Sequence, residues 1–126
     1  MKEVVFSSHA PSAIGPYSQA VKAGDFVFFS GQIPLKPDGT VREGDIAVQT
    51  RQVLQNMEAM LHAADLDFSH VVKTTIYLAD MADFAVVNEI YGENFGDNPP
   101  ARATVQVAGL PKGVQIEIDA IVALNG

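Results

Sequence analysis

The sequence predicts an α+β fold, a single β-sheet with two helices laid on one of its faces. Two observations point there first. Residues 46–64 and about 81–95 repeat apolar side chains at three- and four-residue spacings, while the runs at 26–29, 71–78, 101–108 and 115–124 are strand-length and rich in β-branched or alternating apolar residues. The third is the order of these signals, β-β-β-α-β-α-β-β, with no internal repeat, low-complexity segment or linker to divide it. At 126 residues the chain is long enough to bury one substantial core. One domain, 1–126, is expected.

Val4-Val5-Phe6 reads as a short edge strand, and the prolines and glycine between Ser8 and Pro16 mark a loop. Tyr17 to Lys22 reads as a strand, Ala23-Gly24-Asp25 as a tight turn, and Phe26-Val27-Phe28-Phe29 as the returning strand of a hairpin. That second strand is apolar on both faces, which predicts a central strand covered on both sides. It ends at Ser30-Gly31-Gln32, where a glycine lets the backbone approach another group. Leu35 to Gly44 is a loop.

Asp45 is a suitable N-cap for a helix from Ile46 to Ala64, whose stripe is Ile46, Val53, Leu54, Met57 and Leu61, widened by Met60 and Ala64. The opposite face, Gln49, Arg51, Gln52, Gln55 and Glu58, is expected to be solvated. Val71 to Leu78 is a third main strand. The second helix begins near Met81 or Asp83 and ends near Phe95, with Phe84, Val87, Tyr91 and Phe95 toward the core. Asn88 lies on that same face. It either bonds a neighbouring backbone group or points toward a site at the edge of the sheet.

In the last strand Ile116, Ile118, Ala120, Val122 and Leu124 share one face and Gln115, Glu117 and Asp119 the other. If the strands at 101–108 and 115–124 form a hairpin, matching apolar to apolar places Glu117 and Asp119 on the face of Arg102, Thr104 and Gln106. Two helices cover only one face of such a sheet. The other face is expected to be solvated or packed against further copies of the chain, and a homo-oligomer with sites between subunits is the favoured arrangement.

Composition narrows the chemistry. There are no cysteines, which removes disulfides, thiolate metal sites and thiol nucleophiles together. The formal net charge of −7 and the scattered basic residues disfavour nucleic acid and anionic membrane as partners. No apolar run is long enough to span a bilayer, and the N-terminus has too short an apolar stretch for a signal peptide, so the cytoplasm is the expected compartment. His9, His62 and His70 are not at metal-ligand spacing, and each reads as a surface or satisfied residue. No Walker loop or dinucleotide-binding turn appears. A nucleophile elbow at Ser30 is blocked because Phe28 stands where that motif needs glycine.

The stretch Pro99 to Pro111 has the most chemistry to offer. Two prolines stop the preceding helix, and a short alternating strand follows, ended by Gly109 and Pro111. Val105 and Val107 share one of its faces, and Arg102, Thr104 and Gln106 share the other. An arginine fixed on a strand is a planar fork of donors matched to a carboxylate, either a surface acid or a ligand. With Glu117, Tyr17, Asn88 and the Ser30-Gly31 turn, it suits a small carboxylate held by Arg102 while Glu117 orients or deprotonates a water. The set includes neither covalent nucleophile nor metal ligands, which limits it to water-driven reactions of already reactive substrates.

These residues fall in motifs that resemble the Rid family, the reactive intermediate deaminases, also called the YjgF or endoribonuclease L-PSP group. The motifs are Gly15-Pro16-Tyr17-Ser18-Gln19-Ala20, Ser30-Gly31-Gln32-Ile33-Pro34, Val72-Lys73-Thr74-Thr75, Pro100-Ala101-Arg102 with Leu110-Pro111-Lys112, and Ile116-Glu117-Ile118. The match runs nearly end to end. The resemblance implies a chorismate-mutase-like fold, a homotrimer around a β-barrel core, and three clefts between neighbouring subunits. It implies hydrolysis, without a cofactor, of enamines and imines such as 2-aminoacrylate, 2-iminobutyrate or 2-iminopropionate to a 2-keto acid and ammonia. Such intermediates escape from pyridoxal-phosphate dehydratases, which are the implied functional partners.

Carried over, Arg102 is the carboxylate clamp and Glu117 the acid that positions water, while Tyr17, Ser30, Gly31 and Asn88 line the cleft. The family also leaves open a binding module for a 2-keto acid, and a ribonuclease or translation-inhibitor activity that the acidic charge opposes. One departure stands out: where many members read Arg-Ser-Cys, this chain reads Arg102-Ala103-Thr104. Thr104 therefore takes the substrate-binding position of a cysteine, and thiol-dependent switching is excluded.

Overall fold

The computed structural model describes residues 1–125. Its strands are β1 (Glu3–Val5), β2 (Ala20–Ala23), β3 (Phe26–Gln32), β4 (Val71–Leu78), β5 (Ala101–Gln106) and β6 (Ile116–Ala123); its helices are α1 (Ile46–Ala63) and α2 (Phe84–Gly92). The expected order of elements holds. The strands form one mixed sheet in the order β1-β2-β3-β6-β4-β5, with β4 and β5 parallel and every other pair antiparallel. Both helices pack on one face, so the α+β assignment stands.

The core lies between that face and the helices. Val53, Met57, Met60 and Leu61 of α1 meet Val27, Ile76, Leu78, Ile116, Ile118 and Val122 of the sheet, all fully buried. Each large side chain removed from water in this way contributes about 1.5–3 kcal/mol. The Asp45 carboxylate caps α1, accepting from the Val48 amide at 3.0 Å. A separate single turn, Met81–Asp83, capped by Asp80, precedes α2. Helix α2 stops at Gly92, three residues before Phe95.

The last two strands do not form a hairpin. Strand β5 follows β4 through α2 as a parallel crossover, so it joins the outer side of β4 and becomes the sheet edge. Residues 107–115 then carry the chain back past β4, and β6 inserts between β3 and β4. The register aligns Thr74 with Arg102 and Ile76 with Thr104, but Tyr77 with Glu117 and Thr75 with Asp119. Arg102, Thr104 and Gln106 therefore lie on the helix side, and Glu117 and Asp119 on the open side, opposite to the face assignment the hairpin implied. Matching polar faces fails here because β5 is an edge strand where the helix layer ends. Polar side chains on the covered side can still reach water.

Two expectations about burial also change. Gln49 and Gln52 of α1 are buried rather than solvated, because the 33–44 loop folds over that side of the helix. Gln49 donates to the Arg42 carbonyl and accepts from the Gln115 amide; Gln52 accepts from Arg42 and donates to Asn56. Asn56 donates to the carbonyls of Ile33 and Leu35. The arrangement satisfies polar groups that burial would otherwise penalise. Strand β3 is interior, as expected, but only one of its faces is covered: Val27 is fully buried while Phe26 and Phe28 are 42% and 41% exposed. Val4, Val72 and Val105 are exposed along with them.

Candidate active site

Arg102 projects from β5 over the stripe Phe84, Asn88 and Tyr91 of α2, whose spacing of four and three residues stacks them on one side of the helix. Its guanidinium carbon sits 5.1 Å from the Tyr91 ring centroid and 5.5 Å from that of Phe84. Its Nη1 donates to Asn88 Oδ1 at 2.8 Å. Two aromatic faces and one amide oxygen thus fix the plane of the fork. Asn88 points to the sheet edge, the second of its two readings. Among the described residues no carboxylate is within ion-pair distance of Arg102, so its remaining donors are free. They open on a cleft of about 460 Å³ lined by Asn88, Tyr91, Phe95, Pro99 and Pro100.

Glu117 occupies a different environment. It stands half-buried on the open face of β6, and burial first, then the neighbouring Asp119 charge, push its carboxyl above the usual glutamate range. Gly31 faces it directly. A Cβ built at Gly31 would collide with the Glu117 carboxylate, so the strand irregularity between Phe29 and Gln32 brings bare backbone against the acid. Asp119 is held in place by the Tyr77 hydroxyl, which donates to Oδ2 at 2.9 Å.

Ser30 Oγ donates to the Ser18 carbonyl at 2.6 Å and the Ser30 amide to the Gln19 carbonyl at 3.0 Å, tying β3 to the loop that presents Tyr17. Tyr17 is half-exposed and shares a small cleft with Gly31 and Gln32.

The predicted residues therefore form two groups within one chain. Arg102 and Asn88 are together on the helix side, while Glu117, Gly31, Ser30 and Tyr17 gather on and around the open side. Thr104 joins neither group by a hydrogen bond. Its Oγ1 is shut off from solvent and has no partner. Phe84, Tyr91 and Asp119 are contacts or neighbours of these predicted residues that sequence periodicity presents only as core or face residues. Gln19, part of the motif at residues 15–20, is another, for its side chain bonds Ser7 and Pro11 beside the Tyr17 loop; the motif marks the position but not that the side chain is buried. His70 caps the Asp67 turn, and no group of three or more His, Asp or Glu close enough to hold a metal ion exists among the described residues.

Residues 7–124 match the family described as Endoribonuclease L-PSP. The chain belongs to that family, the Rid group. A Homo sapiens protein named 2-iminobutanoate/2-iminopropanoate deaminase is 50% identical over 127 residues, covering all of this chain and 92% of its own. A RutC family protein of Pyrococcus horikoshii is 57% identical over 96% of this chain and 97% of its own. Among solved Rid-family structures, E. coli TdcF with bound serine superposes with a TM-score of 0.90 at 42% identity, over 96% of this chain and 98% of that one. Of these, the human relative is named as a deaminase and the Pyrococcus one by family alone, and each is nearly as long as this chain.

Proposed function

We propose that the protein hydrolyses small 2-imino acids, and the enamines that tautomerise to them, to 2-keto acids and ammonia. The observation that supports this most directly is Arg102, a guanidinium held flat by Phe84, Tyr91 and Asn88 with donors left over at a cleft mouth. A substrate carboxylate docks on those donors bidentately, which fixes the adjacent C=N bond. With the substrate nitrogen protonated as an iminium, Glu117 takes a proton from water as the water oxygen bonds to the C=N carbon and the π pair moves to nitrogen. In the resulting carbinolamine Glu117 passes that proton to the nitrogen; the C–N bond then breaks, the hydroxyl proton returns to Glu117 as the carbonyl forms, and ammonia leaves. A carboxyl raised above the usual glutamate range by burial and by Asp119 suits a group that must both take and give a proton.

Arg102 and Glu117 occupy opposite faces of the sheet in one chain, so a site containing both needs a second copy. We place it between subunits of a homotrimer, in which the exposed Phe26, Phe28 and Val105 face is covered by neighbouring sheets. Tyr17, Ser30, Gly31, Asn88 and Thr104 complete the cleft wall in this reading. The cytoplasm, where pyridoxal-phosphate dehydratases release such intermediates, is the compartment it assigns. The test is a coupled assay in which threonine dehydratase generates 2-iminobutyrate: the protein should accelerate release of 2-oxobutyrate, and an unchanged rate would remove the proposal.

A binding module for small carboxylates is the second reading, favoured by the TdcF structure with serine. Tight 2-oxobutyrate binding without faster imine loss would select it. The −7 charge opposes a ribonuclease.

Two smaller expectations follow from the site. Asp119→Asn removes a charge that raises the Glu117 pKa, so the acidic limb of the kcat–pH profile should move to lower pH. An amide at position 119 still accepts from Tyr77, which keeps the local structure. Gly31→Ala drives a Cβ into the Glu117 carboxylate and should lower kcat by about 10-fold or more while far-ultraviolet circular dichroism is unchanged.

A further inference from the structure

Beneath the Arg102 side chain lies a buried contact that the proposed reaction does not itself use. Thr74, fully buried on β4, is in direct register with Arg102 on β5. Its Oγ1 and the Tyr91 hydroxyl are 2.6 Å apart, and Tyr91 is itself 4% exposed. The other flank of the Tyr91 ring is set by Phe95, with centroids 4.6 Å apart at 40°. Tyr91 is therefore located at its hydroxyl end by Thr74 and along its ring by Phe95, and the guanidinium lies over the ring at 5.1 Å.

A threonine–tyrosine pair sealed in an apolar core offers little net stability over a valine–phenylalanine pair of the same shape, because both hydroxyls give up water to meet each other. It does supply direction. A buried tyrosine with one acceptor or donor in reach has one ring orientation, and a cation stacked on that ring inherits it. Phe84 and Asn88 reach Arg102 from an exposed or half-exposed part of α2, and Thr74 is the one partner of the assembly anchored, fully buried, on an interior strand of the sheet.

We infer that Thr74 is a positioning residue for carboxylate capture, acting through the Tyr91 ring on the orientation of the Arg102 guanidinium. The inference deepens the proposed function and rests on it for the identity of the ligand, but the side-chain order of Arg102 can be read without any ligand. Thr74→Val keeps the shape and removes the hydroxyl. Tyr91 then loses its partner, and the ring is free to tilt. The expected result is a KM for 2-iminobutyrate raised about 5- to 10-fold, a Kd for 2-oxobutyrate raised in parallel, and kcat within about twofold, since the water and Glu117 are untouched. Thr74→Ser restores the hydroxyl and should return KM and Kd to near wild type.

The experiment measures these constants together with the 15N order parameter of Arg102 Nε–H in ligand-free protein, for wild type, Thr74→Val, Thr74→Ser and the double variant Thr74→Val/Tyr91→Phe. The double variant has no orphaned hydroxyl and should recover the thermal midpoint lost by Thr74→Val, yet keep the raised Kd and the lowered order parameter. Recovery of Kd and order parameter along with the midpoint would reduce the pair to packing and overturn the inference. So would a Thr74→Val protein with wild-type order at Arg102. Wild-type protein that neither binds 2-oxobutyrate nor hydrolyses the imine contradicts the proposed function instead, and the order parameters then decide the positioning role by themselves.

Discussion

Arg102→Ala is expected to lower kcat/KM for 2-iminobutyrate by about 10²–10⁴-fold, measured as 2-oxobutyrate release in the dehydratase-coupled assay. Each charge-assisted hydrogen bond from the fork to a carboxylate is worth about 1.5–3 kcal/mol, and the side chain has donors for two. At about 1.4 kcal/mol per factor of ten, two such bonds give that range. The folded state should hardly notice. Arg102 is exposed, and its contacts with Asn88, Phe84 and Tyr91 are the surface kind, worth about 0.5–1 kcal/mol. Arg102→Lys keeps the charge without the planar fork and should recover only a small part of the loss. A wild-type rate in Arg102→Ala would remove the clamp from the mechanism.

Glu117→Gln should reduce kcat by about 10²–10⁴-fold with little change in KM, because it removes proton transfer and leaves the carboxylate clamp alone. Its effect on stability has the opposite sign. Burial, then Asp119, raise the Glu117 carboxyl in the folded chain. A raised acid binds its proton more tightly folded than unfolded, so its contribution is present below the unfolded pKa and is lost as pH rises through the folded one. Above its folded pKa the wild-type chain therefore bears an unfavourable half-buried charge that glutamine lacks. The thermal midpoint of Glu117→Gln should equal or exceed wild type at pH 7, and any advantage should shrink as the pH falls through the titration of this carboxyl. A variant both inactive and less stable at pH 7 would show that Glu117 is a structural residue.

The parts of the fold that follow from local chemistry are legible in the sequence. Asp45 announces the start of α1, the Val71–Leu78 run gives β4 to the residue, and the alternation of Ile116, Ile118, Ala120 and Val122 gives the buried face of β6. What the sequence hides is which strands are neighbours. Arg102 and Glu117 stand on strands adjacent in the chain, and only the insertion of β6 between β3 and β4 puts them on opposite faces. Burial by loops is hidden for the same reason: Gln49 and Gln52 look solvated on a helical wheel, and the 33–44 loop that covers them arrives from elsewhere in the chain.

At the site, Arg102, Glu117 and Gly31 could be named from residue type and motif. The aromatic seat of Arg102 could not, because Phe84 and Tyr91 at helical spacing are indistinguishable from core residues until the edge strand is in place. Thr104 shows the opposite case. Its motif position marks it for the cleft, whereas its hydroxyl is sealed and unpartnered in the single chain.

The central claim, that the arginine of one copy works with the glutamate of another, is tested most directly by mixing two inactive variants. Arg102→Ala and Glu117→Gln chains, unfolded together in equal amounts and refolded, give trimers of which about three quarters are mixed; each mixed ring has one interface of its three joining an intact arginine to an intact glutamate, about a quarter of all interfaces. Activity should return to about a quarter of wild type, with mixed assembly verified by native mass spectrometry. Mixed trimers that stay at the floor of the two parent variants would contradict the account.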